Sequence, residues 1–134
     1  MKRYLLLFVL LSLLISGCAS RQAAPLERTW KLTAYGPKDT PTPAVTDAEA
    51  TLTFDGKGNV TGNGGCNSLG GTYKVDGNQI TFSDVISTLM ACDDERMAQE
   101  GAVTQVLSGT AGYAIEDNTL TLTDQDNVLI FTAQ

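Results

Sequence analysis

The chain predicts a mainly β domain with one helix. We expect an antiparallel meander of about eight strands, curved into a barrel-like sheet, with the helix packed against it and one disulfide. Three observations carry this. Period-two alternation recurs from Trp30 to the C-terminus, two stretches repeat one strand–turn–strand pattern, and a single segment, residues 93–108, breaks the alternation.

The N-terminus belongs to none of these elements. Lys2 and Arg3 precede an apolar run from Tyr4 to Ile15, and Ser16-Gly17-Cys18 follows. That run is too short for a bilayer, which needs about 20 residues, and it reads as a secretory signal. Leu14-Ile15-Ser16-Gly17-Cys18 resembles the bacterial lipobox, whose cysteine is lipidated and becomes the new N-terminus. Two or three acyl chains anchor stably where one is marginal. Residues 1–17 are therefore expected to be a lipoprotein signal peptide, 18–27 a lipidated N-terminus and tether, and 28–134 the folded domain. In enteric-type bacteria an aspartate after the lipidated cysteine retains a lipoprotein at the inner membrane. Ala19 at that position favours the outer membrane, with the domain facing the periplasm.

Cleavage before Cys18 leaves 117 residues with 7 basic and 15 acidic side chains, a net charge of −8. That balance argues against nucleic acid and against direct binding to anionic headgroups. The expected partners are the membrane, through the anchor, and an envelope protein or lipid, with the chain itself a monomer. Cys66 and Cys92 then remain in an oxidising compartment, and an even number there favours a disulfide over unpaired thiols or a metal site. A loop of about 27 residues would stabilise the fold by roughly 3.5 kcal/mol on the chain-entropy model.

Along the domain, residues 29–35 alternate, with Trp30, Leu32 and Ala34 on one face and Trp30 as core anchor. Residues 36–47 carry Pro37, Pro41 and Pro43 and predict an exposed loop. Tyr73-Lys74-Val75-Asp76-Gly77-Asn78-Gln79-Ile80-Thr81-Phe82 aligns without gaps on Tyr113-Ala114-Ile115-Glu116-Asp117-Asn118-Thr119-Leu120-Thr121-Leu122, each a hairpin pattern. A second echo pairs Thr51–Phe54 and Asn59-Val60 with residues 119–122 and Asn127-Val128. In 93–108, Asp93, Asp94 and Glu95 suit a helix start, and Gly109 sits where a C-terminal glycine cap belongs. Met97, Val103, Thr104 and Leu107 share one helical face, with Ala98, Ala102 and Val106 on another. In the last strand Val128 and Ile130 oppose Leu129 and Phe131, so it is apolar on both sides.

Between the strands lies Gly62-Asn63-Gly64-Gly65-Cys66-Asn67-Ser68-Leu69-Gly70-Gly71. It lacks the Gly-Lys-Ser/Thr ending of a phosphate loop and opens no helix, so it predicts a tight corner holding Cys66. Asn67 is expected to lock the turn, Thr88 to do the same from the facing segment, and Glu100 to meet backbone groups of the corner.

These residues together resemble the META domain, found in bacterial envelope lipoproteins and in the heat-shock protein HslJ. The match rests on Trp30-Lys31-Leu32, Leu52-Thr53-Phe54, Gly65-Cys66-Asn67, Gly71-Thr72-Tyr73, Ser87-Thr88-Leu89-Met90-Ala91-Cys92, Glu100, Leu120-Thr121-Leu122 and Leu129-Ile130-Phe131. The resemblance implies a small antiparallel β domain with one helix, no established enzymatic activity, and an association with envelope stress and antibiotic tolerance. It also implies a likeness to secretin pilot lipoproteins with a lipid-holding cavity. Val103 stands where the family usually has a larger aromatic, and Asp93 where proline often follows the cysteine. Either the helix packs closer to the sheet here, or a groove beneath it is more open; such a groove near Val103, Val128 and Ile130 is the expected ligand or partner face.

Histidine is absent, which removes Ser-His-Asp and Cys-His catalysis and the commonest zinc ligand. Asp124-Gln125-Asp126-Asn127 lacks the glycine and glutamate of an EF-hand-type loop and reads as a hairpin turn. No catalytic residue, metal or cofactor is assigned. The expected function is a lipid-anchored, non-enzymatic envelope module that supports integrity under stress, with a secretion or assembly chaperone holding a lipid chain or peptide as the alternative.

Overall fold

The computed structural model describes residues 25–134. The segment expected to be a signal peptide, Cys18 and Ala19 lie outside them. In chain order the elements are β1 (Thr29–Pro37), β2 (Thr42–Pro43), β3 (Thr51–Phe54), β4 (Asn59–Asn63), β5 (Ser68–Asp76), β6 (Gln79–Ser87), α1 (Asp94–Val106), β7 (Thr110–Glu116), β8 (Thr119–Thr123) and β9 (Asn127–Ala133). Each strand pairs antiparallel with the next, and β9 returns to pair along β1 from Pro37↔Asn127 to Trp30↔Ala133. Eight strands therefore close a barrel, and β2 is an extra two-residue strand on β1.

Alternation explains the filling. Trp30, Leu52, Phe54, Val60, Ile80, Leu120, Leu122, Leu129 and Phe131 point inward with at most 2% of their surface exposed. Val103, Val106 and Leu107 of the helix region join the same cluster, so α1 covers the barrel interior and packs on β1 and β9. Each such side chain removed from water contributes about 1.5–3 kcal/mol. Phe54 meets Tyr73 edge to face at 4.9 Å between ring centroids.

The repeated hairpins have matching turns. β5–β6 and β7–β8 close through the two-residue loops Gly77-Asn78 and Asp117-Asn118, and the first residue of each has positive φ, 61° and 51°. That is the hand a two-residue hairpin requires. In β3–β4 the Asp55 carboxylate accepts from the Lys57 and Asn59 backbone N–H groups and from Asn59 Nδ2. The Asp124 carboxylate accepts from the Asp126 and Asn127 N–H groups in β8–β9.

Some elements depart from simple alternation. A bulge between Leu32 and Ala34 shifts the phase of β1, so Tyr35 packs against the core and Ala34 pairs with Ile130 instead. The proline-rich loop contains β2, with Pro43 on a strand edge where its missing N–H costs nothing. Leu26, expected in the tether, is buried in the core, and its carbonyl accepts from Trp30 Nε1 at 2.9 Å. The helix buries Gln99, Glu100, Val103 and Val106, while Met97 is 40% exposed, so the expected face is corrected by about 60° of rotation, keeping Val103 and Leu107 but losing Met97 and Thr104. Gly109 is not a left-handed cap. Leu107 ends the helix with φ −82°; its N–H donates to the Val103 carbonyl and the Ser108 N–H to the Gln105 carbonyl.

A Cβ at Gly101 would meet nothing within 4 Å, so Gly101→Ala should raise stability by about 0.5–1 kcal/mol in urea unfolding. A Cβ at Gly62 would run into the Thr51 carbonyl, and Gly62→Ala should lower it by about 1–3 kcal/mol. The Asp55 carboxyl is held below its ordinary 3.8 by the Asn59 side chain, then the Asn59 and Lys57 N–H groups. Burial raises the Asp124 carboxyl, but the N–H groups of Asn127 and Asp126 outweigh it and leave it depressed. A depressed folded pKa gives stability that is present above the unfolded value and lost as pH falls through the folded one. Acid titration followed by circular dichroism should therefore show stability falling below about pH 4, with a shallower fall in Asp55→Ala and Asp124→Ala.

Candidate functional site

The polar side chains of the interior gather at one place, where the turn between β4 and β5 meets α1. Asn63 Oδ1 accepts from the Gly65 N–H at 2.6 Å, and the Gly64 N–H donates to the Asn67 carbonyl at 3.1 Å, which curls the chain. Gly65 has φ 119°, and a Cβ there would collide with Gln99. A Cβ on Gly64 would lie 2.8 Å from Glu100 Cγ. The glycines let the helix side chains come this close.

The curl aims backbone N–H groups at one carboxylate. Glu100 Oε2 accepts from the Cys66 N–H at 3.1 Å and from the Asn67 N–H, and Oε1 accepts from Asn67 Nδ2 at 2.6 Å. Glu100 is 9% exposed. A buried carboxylate is tolerated when hydrogen bonds replace its water, and charge-assisted bonds of this kind are the strong ones.

Asn67 is saturated. Its two N–H bonds go to Glu100 Oε1 and to the Met90 carbonyl at 3.1 Å, while its Oδ1 accepts from the Met90 N–H at 2.6 Å and from Thr88 Oγ1 at 2.9 Å. An amide side chain has two donors and two lone pairs, and all four are engaged. Met90 is thereby fixed beside the corner, and Cys92 two residues on is bonded to Cys66 with their Cα atoms 6.0 Å apart.

Gln99 completes the arrangement. It is fully buried, donates Nε2 to the Gly64 carbonyl at 3.1 Å, and accepts the Val45 N–H on Oε1 at 2.8 Å. Gln99 was not expected. Its only signal in the sequence is a polar residue four positions before Val103, in core register.

Of the predicted corner residues, the structure brings together Gly65, Asn67, Thr88 and Glu100, with Cys66 and Cys92. Gly71 lies elsewhere, at a bulge in β5–β6 opposite Asp84 and Val85, where a Cβ would come 2.8 Å from Val85 Cγ2. The expected ligand face does not assemble. Val103 is 1% exposed inside the barrel, whereas the alternation of β9 puts Leu129 and Phe131 inside and Val128 and Ile130 on the opposite side. The open clefts, of about 220, 310, 370 and 500 Å³, are lined by none of the three. Among the described residues no three His, Cys, Asp or Glu side chains cluster as metal ligands would, and no helix is long and apolar enough to cross a membrane.

The META domain family model matches residues 24–134, which takes in the barrel, the corner and the helix. The chain belongs to the META domain family. Among solved structures, this META domain is similar to a protein from Burkholderia xenovorans determined by NMR, with a TM-score of 0.67 and 25% identity over 81% of this chain and 82% of that one. It also shares its fold with a lipocalin-like protein from Bacteroides uniformis, with a TM-score of 0.56 and 19% identity over 81% and 98%. An uncharacterized protein from Bacteroides eggerthii matches with a TM-score of 0.55 and 13% identity over 82% and 100%. No curated protein matches by sequence.

The corner of the META domain can be tested by changing one atom. Asn67→Asp replaces the NH₂ with an oxygen facing Glu100 Oε1 and the Met90 carbonyl. It should destabilise by about 3 kcal/mol or more at pH 7, as a buried group left with a like partner. Glu100→Gln, which faces an amide toward existing donors, should cost about 1–3 kcal/mol. Urea denaturation checks both, and an unchanged midpoint for Asn67→Asp would show that the cluster bears no weight in the fold.

Proposed function

We propose that this chain is a lipid-anchored cell-envelope protein, a non-enzymatic binding or structural module that supports envelope integrity under stress. The META domain and the fold shared with a lipocalin-like protein point to the coarser part, a binding or structural module. The finer part rests on the lipobox at Leu14–Cys18 and on Ala19 after it, which together favour attachment at the outer membrane with the domain in the periplasm.

The single observation that best supports the reading is the Cys66–Cys92 bridge closing a filled barrel. Disulfides persist in oxidising compartments, and a small domain outside the cytoplasm uses them in place of a larger core. No catalysis is assigned. Glu100 is enclosed by N–H donors that serve the fold, and the carboxylates of Asp55, Asp93 and Asp124 cap turns or a helix start. Buried Trp30, Phe54 and Phe131 occupy the interior where a lipid chain would sit, so the alternative of a lipid-holding chaperone gains nothing from the barrel itself.

Mass spectrometry of the mature N-terminus should find Cys18 carrying acyl chains, and Cys18→Ser should release the domain from the membrane fraction with its thermal unfolding unchanged. An unmodified Cys18 would overturn the anchor. Deletion of the gene should raise sensitivity to heat, detergent and hydrophobic antibiotics, and an unaltered strain would count against the stress role.

A further inference from the structure

A closed barrel has no free strand edge, yet this one leaves a gap. β6 runs from Gln79 to Ser87, but β7 pairs only with Gln79, Ile80 and Thr81, and the last bond on that side is from the Phe82 N–H to the Gly109 carbonyl at 2.9 Å. Beyond it β6 continues against β5 alone, with the pairs Gly70↔Ile86 and Leu69↔Ser87. Among the described residues no strand pairs with the other edge of residues 83–87. The bulge at Asp84, φ 52°, distorts the first part, and Ile86 and Ser87 resume regular pairing with β5.

The direction of the edge follows from one bond. The Thr88 N–H donates to the Ser68 carbonyl at 3.0 Å, so by alternation the N–H and carbonyl of Ser87, and of Val85 before it, point away from β5. The same stretch is apolar and uncovered. Ile86 is 76% exposed, Leu89 96% and Met90 58%, although Met90 and Cys92 are tied down by Asn67 and the disulfide. Across from Ile86, Gly70 offers no side chain, which leaves a cleft of about 310 Å³ bounded by Leu69, Ile86 and Thr88. Proteins ordinarily blunt such edges with lysine or proline. No lysine, arginine or proline occurs in β6, whereas Asp84 does.

We propose that the edge of β6 at residues 85–87, with Ile86, Leu89 and Met90 beside it, is a docking site for an extended partner peptide that alternates apolar and basic side chains and adds as a strand. Unpaired backbone groups select an extended backbone, the exposed side chains select apolar ones, and Asp84 in β6 together with the chain's net negative charge selects positive charge. A second copy is the poorer occupant, because two chains of the same strongly negative net charge repel. The inference deepens the binding-module reading and does not use the lipid anchor.

The test uses the full chain and a fluorescein-labelled peptide of alternating valine and lysine. We expect saturable anisotropy, slowed hydrogen exchange at Val85 and Ser87, and binding about tenfold weaker for a valine–glutamate peptide. Ser87→Pro, at an exposed edge position that tolerates proline, should weaken binding by about tenfold with unfolding unchanged. Should Ser87→Pro fail to fold, Ile86→Lys carries the same expectation. No binding, equal binding to either variant that folds, or protection confined to other strands would overturn the proposal. So would a wild-type dimer in sedimentation that Ser87→Pro or Ile86→Lys dissociates, since a second copy would then hold the edge. Cys18→Ser should bind the peptide as wild type does, so failure of the anchor and failure of the edge are read separately.

Discussion

The carboxylate of Glu100 is the constraint around which the rest of the structure is arranged. It lies beneath the surface with no lysine or arginine of the described residues bonded to it, and a buried anion left bare would cost several kcal/mol. Its three N–H donors come from Cys66 and Asn67. Pointing two consecutive backbone N–H groups at one oxygen requires a sharply curled chain, which Asn63, Gly64 and Gly65 supply. The same curl places the Cys66 side chain toward Cys92 and the Asn67 amide toward Met90. One helix residue thus settles the turn, the position of the segment after β6, and the depth at which α1 enters the barrel.

That entry explains why the interior is filled. Barrels of eight strands have room for side chains or for one small ligand. Here Val103, Val106 and Leu107 come down from the helix side and meet Trp30, Phe131 and Leu129. Gln99 holds the helix to both Gly64 and Val45, and so to two loops at once. The Val103 side chain leaves no groove beneath the helix. The helix sits against the barrel with that residue 1% exposed.

How much of this could be read in the sequence depends on what kind of side chain carried each feature. Strand alternation, the paired hairpins and the cysteine staple rest on residue types with strong local meaning, and the structure has them. Glu100 was legible because a charged residue falls in core register on a helix, and a glycine-rich corner needs acceptors. The helix face was misread for the same physical reason. Two of its four most buried positions are Gln99 and Glu100, so a search for apolar spacing chose Met97, which is exposed. The bulge in β1 was invisible, because it arises from pairing with β9 nearly 100 residues away and shifts the phase without changing composition. Gly71 was grouped with the corner by proximity in sequence, though its close neighbour is Val85 on the next strand.

The latch and the open edge have one topological origin. To deliver Met90 and Cys92 to the corner, β6 must run on past the point where its next neighbour can pair with it. The chain then forms α1 before returning as β7, which begins at Thr110 and reaches β6 only as far as Thr81. A shorter β6 would close the barrel without a gap and would leave Cys92 unable to reach Cys66. The staple therefore fixes an exposed edge in a rigid frame, with Thr88 and Met90 bonded to Asn67 at its end. Strand addition to a mobile edge loses affinity through the ordering of that edge. An edge already held by a disulfide and a saturated asparagine incurs little of that cost, so the interactions that stabilise this domain also prepare a place where its sheet can be extended.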